Sequence, residues 1–134
     1  MKQLEQLPVL YSLRNCPYAM RGRIAIYKSK VPVVLRDIVL SNKPTEMTEV
    51  SPKATVPVLV LPNSKVIDES LDVMLWALKA GDPDNLLLSE NPENLQVMLS
   101  LIQQFDTEFK SALEAYKCAK RYRETNIAEC RAVC

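Results

Sequence analysis

The sequence predicts an α/β protein in which a strand–helix–strand unit is followed by a strand–strand–helix unit and then by a short all-α segment. Two observations predict this order. Short apolar runs, bounded by prolines and polar turns, alternate with stretches whose apolar residues recur at every third or fourth position. Beyond residue 91 the short runs cease, and a long apolar stripe continues at helical spacing alone.

The first three elements are predicted from three stretches near the N-terminus. Pro8 to Leu13 is a short apolar run, which is typical of a buried strand. From Pro17 to Lys30 the apolar residues recur at helical spacing, with basic residues between them. Val31 to Leu40 is rich in β-branched residues and predicts a second strand. A strand, a helix and a strand in this order imply a parallel pair joined by a right-handed crossover.

The next stretches predict a hairpin and a closing helix. Ser41 to Lys53 is polar and interrupted by proline, which predicts a loop or a short irregular helix. Val56 to Leu61 predicts a third strand, and Lys65 to Ile67 a fourth that pairs with it. The apolar residues from Leu71 to Leu78 predict a helix that ends near Gly81.

Beyond this helix, the composition predicts a linker and then helices. Gly81 to Asn91 is rich in turn-forming residues. Asn91 and Pro92 suit the cap and the first position of a long helix. The apolar stripe of that helix consists of Leu95, Met98, Leu99, Ile102, Phe105, Phe109, Leu113 and Tyr116. A last basic and polar segment, Lys117 to Cys134, is predicted to be helical from about Glu124.

The overall composition argues against several kinds of partner and location. The 134 residues carry a net charge of +1, which gives no reason to expect a nucleic acid or an anionic membrane as a partner. No apolar run approaches the ~18–20 residues that a membrane-spanning helix needs. The stretch from Met1 to Gln6 has no continuous apolar core and is therefore not expected to be a signal peptide. A cytoplasmic protein is expected by default.

Missing residue types exclude several kinds of catalysis. The chain contains no histidine, which excludes a Cys-His protease and a Ser-His-Asp hydrolase. Its two glycines, Gly22 and Gly81, are too few for a phosphate-binding loop or a dinucleotide fingerprint. The four cysteines are unevenly spaced and do not suggest a disulfide framework. Cys130 and Cys134 would share one helical face, but without histidine or a second pair they make a poor zinc site, so no metal is predicted.

Cys16 is the candidate nucleophile. It lies between the first predicted strand and the first predicted helix, and Pro17 suits the first helical position. The positive end of a helix dipole favours the thiolate, which is the reactive form of cysteine. The alternative is a buried structural cysteine. Tyr11 and Ser12, the other nearby hydroxyl groups, are expected to pack in or after the first strand.

Three short motifs, taken together, resemble a known family. Cys16-Pro17-Tyr18-Ala19, Thr55-Val56-Pro57 and Asp68-Glu69-Ser70 resemble, in order and spacing, the N-terminal domain of glutathione S-transferases. The chain is most similar to members with a cysteine nucleophile, the omega-like and glutaredoxin-like transferases. The resemblance covers residues 7–80 well, and residues 92–117 as the first helix of the family's second domain.

The resemblance implies a thioredoxin-like fold and a division of the chain into three parts. Residues 1–80 would form the thioredoxin-like glutathione-binding domain, residues 81–91 a linker, and residues 92–134 a partial helical domain. The family's helical domain is usually much longer than the part present here, and it normally builds the pocket for the second substrate. The family and the apolar stripe together also suggest a homodimer.

The resemblance further implies a set of glutathione contacts. The Val56–Pro57 peptide would be cis, which leaves the backbone of Val56 free to pair with the cysteinyl part of glutathione. Glu69 would accept a hydrogen bond from the γ-glutamyl ammonium, and Ser70 would donate one to the γ-glutamyl carboxylate. A carboxylate also suits the helix N-terminus that Ser70 opens. Lys43 would hold the glycyl carboxylate.

These assignments predict a glutathione-dependent transferase with glutathione as cosubstrate. Ala19 stands where dithiol glutaredoxins have a second cysteine. A monothiol reaction follows, in which the Cys16 thiolate attacks a glutathione mixed disulfide and a second glutathione releases it. Conjugation of glutathione to a small electrophile remains equally open. The alternatives are a non-catalytic, transferase-like interaction module and a fragment of a longer transferase.

Overall fold

A computed structural model describes residues 6–134 of the chain. The chain divides into two compact units, the first ending at Leu86 and the second spanning Leu87–Cys134. Apart from Gln6, the N-terminal stretch on which the signal-peptide prediction rests lies outside the described residues. No helix in residues 6–134 is both long and apolar enough to cross a membrane.

The first unit alternates strands and helices as the apolar pattern predicts. Its elements are β1 (Val9–Ser12), α1 (Pro17–Ser29), β2 (Val34–Asp37), α2 (Thr45–Val50), β3 (Val58–Val60), β4 (Val66–Ile67) and α3 (Ser70–Ala80). β1 is parallel to β2, whereas β3 is antiparallel to β1 and β4 is antiparallel to β3. The sheet order is therefore β2-β1-β3-β4, and the predicted order of elements is confirmed.

Two strands are shorter than the apolar runs that predict them. The run from Val31 to Leu40 contributes only β2. Its early residue Pro32 has no N–H to donate to a neighbouring strand. The run from Val56 to Leu61 contributes only β3, which begins immediately after Pro57. Of the polar stretch before β3, α2 is the regular part, as the prediction of a loop or short helix allows.

The core of the first unit lies on both faces of β1 and β3. Leu10 and Leu59 are opposite each other in the strand register, and both are buried. Tyr11 and Val58, the next pair along, point to the other face because side chains alternate along a strand. There they pack with Met47 of α2. Both faces of the central strands are therefore covered.

α1 and α3 pack side by side and run in the same direction. A Cβ atom built on Gly22 of α1 would lie 3.3 Å from Cγ1 of Val73, early in α3. A Cβ atom built on Gly81, just after α3, would lie 2.5 Å from the carbonyl oxygen of Ser29 at the end of α1. The first contact lies nearer the N-terminus of both helices, and the second lies at the C-terminus of both. The N-termini of the two helices therefore lie at the same end of the pair.

The second unit consists of helices. Its elements are α4 (Pro92–Gln104), a π-helical turn (Phe105–Phe109), α5 (Lys110–Arg121) and α6 (Ile127–Val133). Asn91 caps α4 as predicted, because its side chain accepts a hydrogen bond from the Glu93 N–H at 3.1 Å. α5 runs to Arg121, so the predicted last segment begins inside it, and the final helix starts at Ile127 rather than near Glu124.

The long helix predicted along the apolar stripe is present, and it contains a π-helical turn at its middle. The N–H of Lys110 bonds to the carbonyl of Phe105, five residues earlier, where an α-helix would use the residue four positions back. The Thr107 hydroxyl donates to the carbonyl oxygen of Gln103 at 2.8 Å and so competes for a helix acceptor. The turn brings the rings of Phe105 and Phe109 to a centroid separation of 5.4 Å.

Candidate active site

Cys16 occupies the N-terminal cap of α1, as the sequence predicts. Its backbone is extended, Pro17 is the first helical residue, and the Cys16 carbonyl accepts the Met20 N–H at 2.9 Å. The Cys16 N–H donates to the Leu13 carbonyl at 3.2 Å, which turns the chain between β1 and α1. The half-buried thiol therefore belongs to the residue that caps a 13-residue helix.

Arg23 fixes the loop that carries Cys16, and sequence reasoning missed it. Its guanidinium donates to the carbonyl oxygens of Leu13 and Arg14, at 2.9 and 2.8 Å, and to the Ser12 hydroxyl. These acceptors are the residues that precede Cys16 across the turn. In the sequence, Arg23 is one of the basic residues between the apolar positions of the predicted first helix. Its position about two helical turns after Cys16, on the same helical face, is the signal that could have revealed it.

Pro57 approaches α1 near its middle. The Val56–Pro57 peptide bond is cis, as the resemblance implies. Pro57 is buried, and its Cβ would lie 3.6 Å from a Cβ built on Gly22. Since β3 begins at Val58, the backbone of Val56 lies just beyond the paired residues of the strand.

Glu69 and Ser70 open α3 at the same end of the helix pair as Cys16. Glu69 is the cap residue, with an extended backbone and an exposed side chain. Ser70 is the first helical residue and is buried. Because α1 and α3 run in the same direction, the thiol and the first-turn amides of α3 lie at one end of this unit. The structure thus brings Cys16, Glu69 and Ser70 to one end of the helix pair, whereas Pro57 packs near the middle of α1.

Glu69 already has a cationic partner, which the sequence analysis did not anticipate. The Lys53 ammonium donates to Oε1 of Glu69 and lies 3.6 Å from Oδ1 of Asp68. The other oxygen of Asp68 accepts a hydrogen bond from the hydroxyl of Ser51, which is fully buried, at 2.8 Å. The hydrogen bond to Glu69 is the main cause that raises the pKa of Lys53. A loop lysine 16 residues away from Glu69 gives no local signal of this pairing.

Lys43 is the predicted site residue that the structure does not tie to the others. It is half-buried and lies between a turn, in which the Asn42 N–H donates to the Val39 carbonyl at 3.0 Å, and helix α2. Within residues 6–134, no hydrogen bond or ion pair joins Lys43 to Glu69 or Ser70. A ligand would have to bridge them.

The remaining cysteines lie in the second unit. Cys118, Cys130 and Cys134 have free thiols, as does Cys16. Position 19, one helical turn into α1, holds a fully buried alanine. In the part of the chain that the structure describes, no three acidic or cysteine side chains are grouped to hold a metal ion.

A comparison with protein-family models identifies the first unit. The model described as the N-terminal domain of glutathione S-transferase matches residues 10–84. Among curated proteins, the probable glutathione S-transferase DHAR1, cytosolic, of Oryza sativa subsp. japonica is 30% identical over 75% of this chain and 46% of its own length. Glutathione S-transferase DHAR2 of Arabidopsis thaliana is 30% identical over 74% of this chain and 45% of its own length. The chain thus spans about half the length of the curated relatives it matches.

Solved structures agree on the fold. Glutathione transferase Omega 1C from Trametes versicolor superposes with a TM-score of 0.74 at 26% identity, over 83% of this chain and 52% of that chain. A glutathione transferase homologue from Sulfitobacter with bound glutathione has a TM-score of 0.72 at 17% identity, over 96% of this chain and 66% of that chain. The predicted α/β, thioredoxin-like fold is confirmed.

Proposed function

The chain belongs to the glutathione S-transferase family, and from that premise we propose that it is a glutathione-dependent transferase whose nucleophile is the Cys16 thiolate. The observation that carries the proposal is the position of Cys16. It caps the N-terminus of α1, at the same end of the helix pair as the N-terminus of α3. The N-terminus of α3 favours a ligand carboxylate at the same end of the helix pair as Cys16.

In its disulfide-exchange form, the reaction requires one protein thiol. The Cys16 thiolate attacks the glutathionyl sulfur of a mixed disulfide, forms a disulfide with glutathione and releases the substrate as a thiolate. A second glutathione thiolate then attacks that glutathionyl sulfur, so oxidised glutathione leaves and the Cys16 thiolate returns. The buried alanine at position 19 supports this monothiol form, because no second thiol stands one turn into α1. Conjugation of glutathione to a small electrophile is the other reaction that the site could carry out.

The proposed glutathione contacts follow the family resemblance. Val56, next to the cis bond to Pro57, would pair through its backbone with the cysteinyl residue of glutathione. Glu69 would accept from the γ-glutamyl ammonium, and Ser70 would donate to the γ-glutamyl carboxylate at the start of α3. Lys43 would close on the glycyl carboxylate from the loop before α2.

The organisation of the chain is proposed on the same basis. Residues 1–80 would bind glutathione, residues 81–91 would be a linker, and residues 92–134 would be part of a helical domain. A cytoplasmic location and a homodimer belong to the proposal. The location is supported by the rice relative, which is named as a cytosolic protein. The dimer is supported by exposed apolar residues in the second unit, and sedimentation that shows only monomer at tens of micromolar would contradict it.

A second candidate function, a non-catalytic interaction module, is favoured by the same exposed residues. Val97, Leu101 and Phe105 of the second unit are at least half exposed, at 69%, 53% and 50%. Such residues are typical of a surface that contacts a partner. The two functions differ in a simple measurement. A native-state ligand raises the melting temperature, so millimolar glutathione should stabilise a transferase and leave a module without a glutathione site unchanged.

The decisive experiment isolates Cys16. In a variant with Cys118, Cys130 and Cys134 all replaced by alanine, Cys16 is the sole thiol. We expect this variant to keep the wild-type rate of thiol transfer and to gain one glutathionyl group by mass after exposure to oxidised glutathione. Adding Cys16→Ala should reduce the rate to background and abolish the adduct. Equal rates with and without Cys16 would remove the catalytic proposal.

A further inference from the structure

A chain of polar contacts links a buried hydroxyl to the exposed carboxylate of Glu69. Ser51, fully buried, donates to Asp68; the other oxygen of Asp68 lies 3.6 Å from the Lys53 ammonium; and the ammonium donates to Glu69. The Lys53 side chain is 38% exposed, and those of Asp68 and Glu69 are 35% and 68% exposed. The anchored end of the network is therefore Ser51 and Asp68, and the open end is Glu69.

At Glu69, the exposed end of this network, Lys53 and the proposed ligand would bind the same carboxylate. Glu69 is the group proposed to accept the γ-glutamyl ammonium, yet an ammonium of this chain already donates to it. Two ammonium groups on one carboxylate lie close enough to repel each other. The hydrogen bond to Glu69 also raises the pKa of Lys53, so the lysine stays cationic throughout the neutral range.

We propose that Lys53 is a tethered counter-ion of Glu69, and that the ammonium of an incoming ligand binds by exchanging with it. The inference rests on the proposed function, since it takes Glu69 as the ammonium acceptor. The network provides a place for the displaced lysine, because Asp68 lies beside it and is itself held by Ser51. Lys53 can thus turn from one carboxylate to the other without leaving either charge alone.

The exchange makes Lys53 a specificity-determining residue. A ligand that carries a free amino group competes with Lys53 for the carboxylate of Glu69, so this lysine weakens its binding. A ligand of the same shape without that amino group displaces nothing and leaves the Lys53–Glu69 pair intact. Lys53 would therefore affect the binding only of ligands with a free amino group, whereas a merely structural residue would affect both kinds of ligand alike.

The test compares two ligands on two matched variants by calorimetry. The ligands are S-methylglutathione and its des-amino analogue, in which hydrogen replaces the γ-glutamyl amino group. Lys53→Met keeps the aliphatic stem and removes the charge. Lys28→Met is the control, because Lys28 also makes an exposed ion pair in the first unit, with Asp84 at 2.9 Å.

We expect Lys53→Met to lower the Kd of S-methylglutathione about two- to fivefold, the range that an exposed ion pair gives. The des-amino analogue should not bind more tightly, and Lys28→Met should change neither Kd. In a Glu69→Gln background the gain from Lys53→Met should vanish, because the two residues act through one contact.

Two results would overturn the inference while leaving the proposed function intact. If Lys53→Met weakens both ligands alike, Lys53 holds a carboxylate of the ligand instead of competing with its ammonium. If it changes neither Kd, the ion pair plays no part in binding. If S-methylglutathione gives no binding heat and no rise in melting temperature with the wild type or with Lys53→Met, the proposed glutathione site itself fails, and this inference fails with it.

Discussion

The two units of this chain bury their apolar residues to very different extents. Among the described residues, all the buried apolar side chains except Ala119 lie in the first unit, and α4 of the second unit has no buried residue. Leu59 in β3 is 0% exposed, whereas Leu101 in α4 is 53% exposed. Leu59 belongs to the apolar run that predicts a strand, whereas Leu101 lies on α4 outside the predicted apolar stripe; Phe105, which does belong to the stripe, is itself 50% exposed.

An apolar pattern specifies which surface is to be buried, but not what buries it. In the first unit, the sheet offers two faces, and helices of the same unit cover them, as the packing of Met47 on Tyr11 and Val58 shows. In the second unit, α4 and α5 carry their apolar stripe without a sheet on which to pack. The pattern thus identifies an apolar surface that is to be buried, but it does not show whether other elements of the same unit pack against that surface. All residues of the proposed glutathione site belong to the first unit.

Two leucine truncations, one in each unit, should differ strongly in their effect on the free energy of unfolding. Leu59→Ala removes a fully buried side chain and should lower the free energy of unfolding by about 2–5 kcal/mol. Leu101→Ala removes a half-exposed side chain and should cost less than about 1 kcal/mol. Urea unfolding of the two variants, followed by circular dichroism, measures both. A loss at Leu101 as large as that at Leu59 would break the comparison and indicate that a second copy covers α4.

Local signals predicted much of the fold and part of the candidate site. The order of strands and helices follows from apolar periodicity, and the cap position of Cys16 follows from a proline placed directly after it. The cis bond before Pro57 was implied by a motif rather than by physical argument, and the structure contains it. Each of these features depends on neighbours within a few residues in sequence, which a sequence pattern records.

Contacts between distant residues were not predictable in this way. Lys53 meets Glu69 only because the loop before β3 and the start of α3 converge in the folded chain. Arg23 donates to three acceptors in the turn after β1; its spacing from Cys16 places it on the same helical face, but the sequence does not identify those acceptors. The interruption at Phe105–Phe109 was missed because the spacing of apolar residues suits an α-helix throughout that stretch. Contacts between residues that are distant in sequence cannot be predicted from a single sequence.

A smaller loss of stability is expected where α1 and α3 pack closely. Both glycines of the chain, Gly22 and Gly81, lie at this contact in the first unit. Gly81→Ala would place a Cβ 2.5 Å from the Ser29 carbonyl oxygen, and a backbone atom cannot move aside cheaply. We expect a loss of about 1–3 kcal/mol in the free energy of unfolding, as for other overpacked sites. Denaturant unfolding of the full chain measures it.

Gly22→Ala is the matched control for this prediction. Its Cβ would meet a side-chain methyl group of Val73 at 3.3 Å, which can shift by a few tenths of an ångström. Replacing a glycine inside a helix by alanine also recovers up to about 1 kcal/mol of helix propensity. We therefore expect a net change near zero. If Gly81→Ala is equally harmless, the two helices do not approach as closely as the structure shows.

The smallest effect tests whether the second unit gains its order from local interactions. Asn91→Ala removes the side-chain acceptor of the Glu93 N–H and should destabilise the start of α4 by about 1 kcal/mol. Native-state hydrogen exchange should show faster exchange in the first turn of α4, with the amides of β1 and β3 unchanged. Asn91→Asp, which keeps an acceptor, should preserve the wild-type rates. Faster exchange in β1 and β3 as well would mean that the units unfold together, so the contrast in burial would not correspond to two separately stabilised regions.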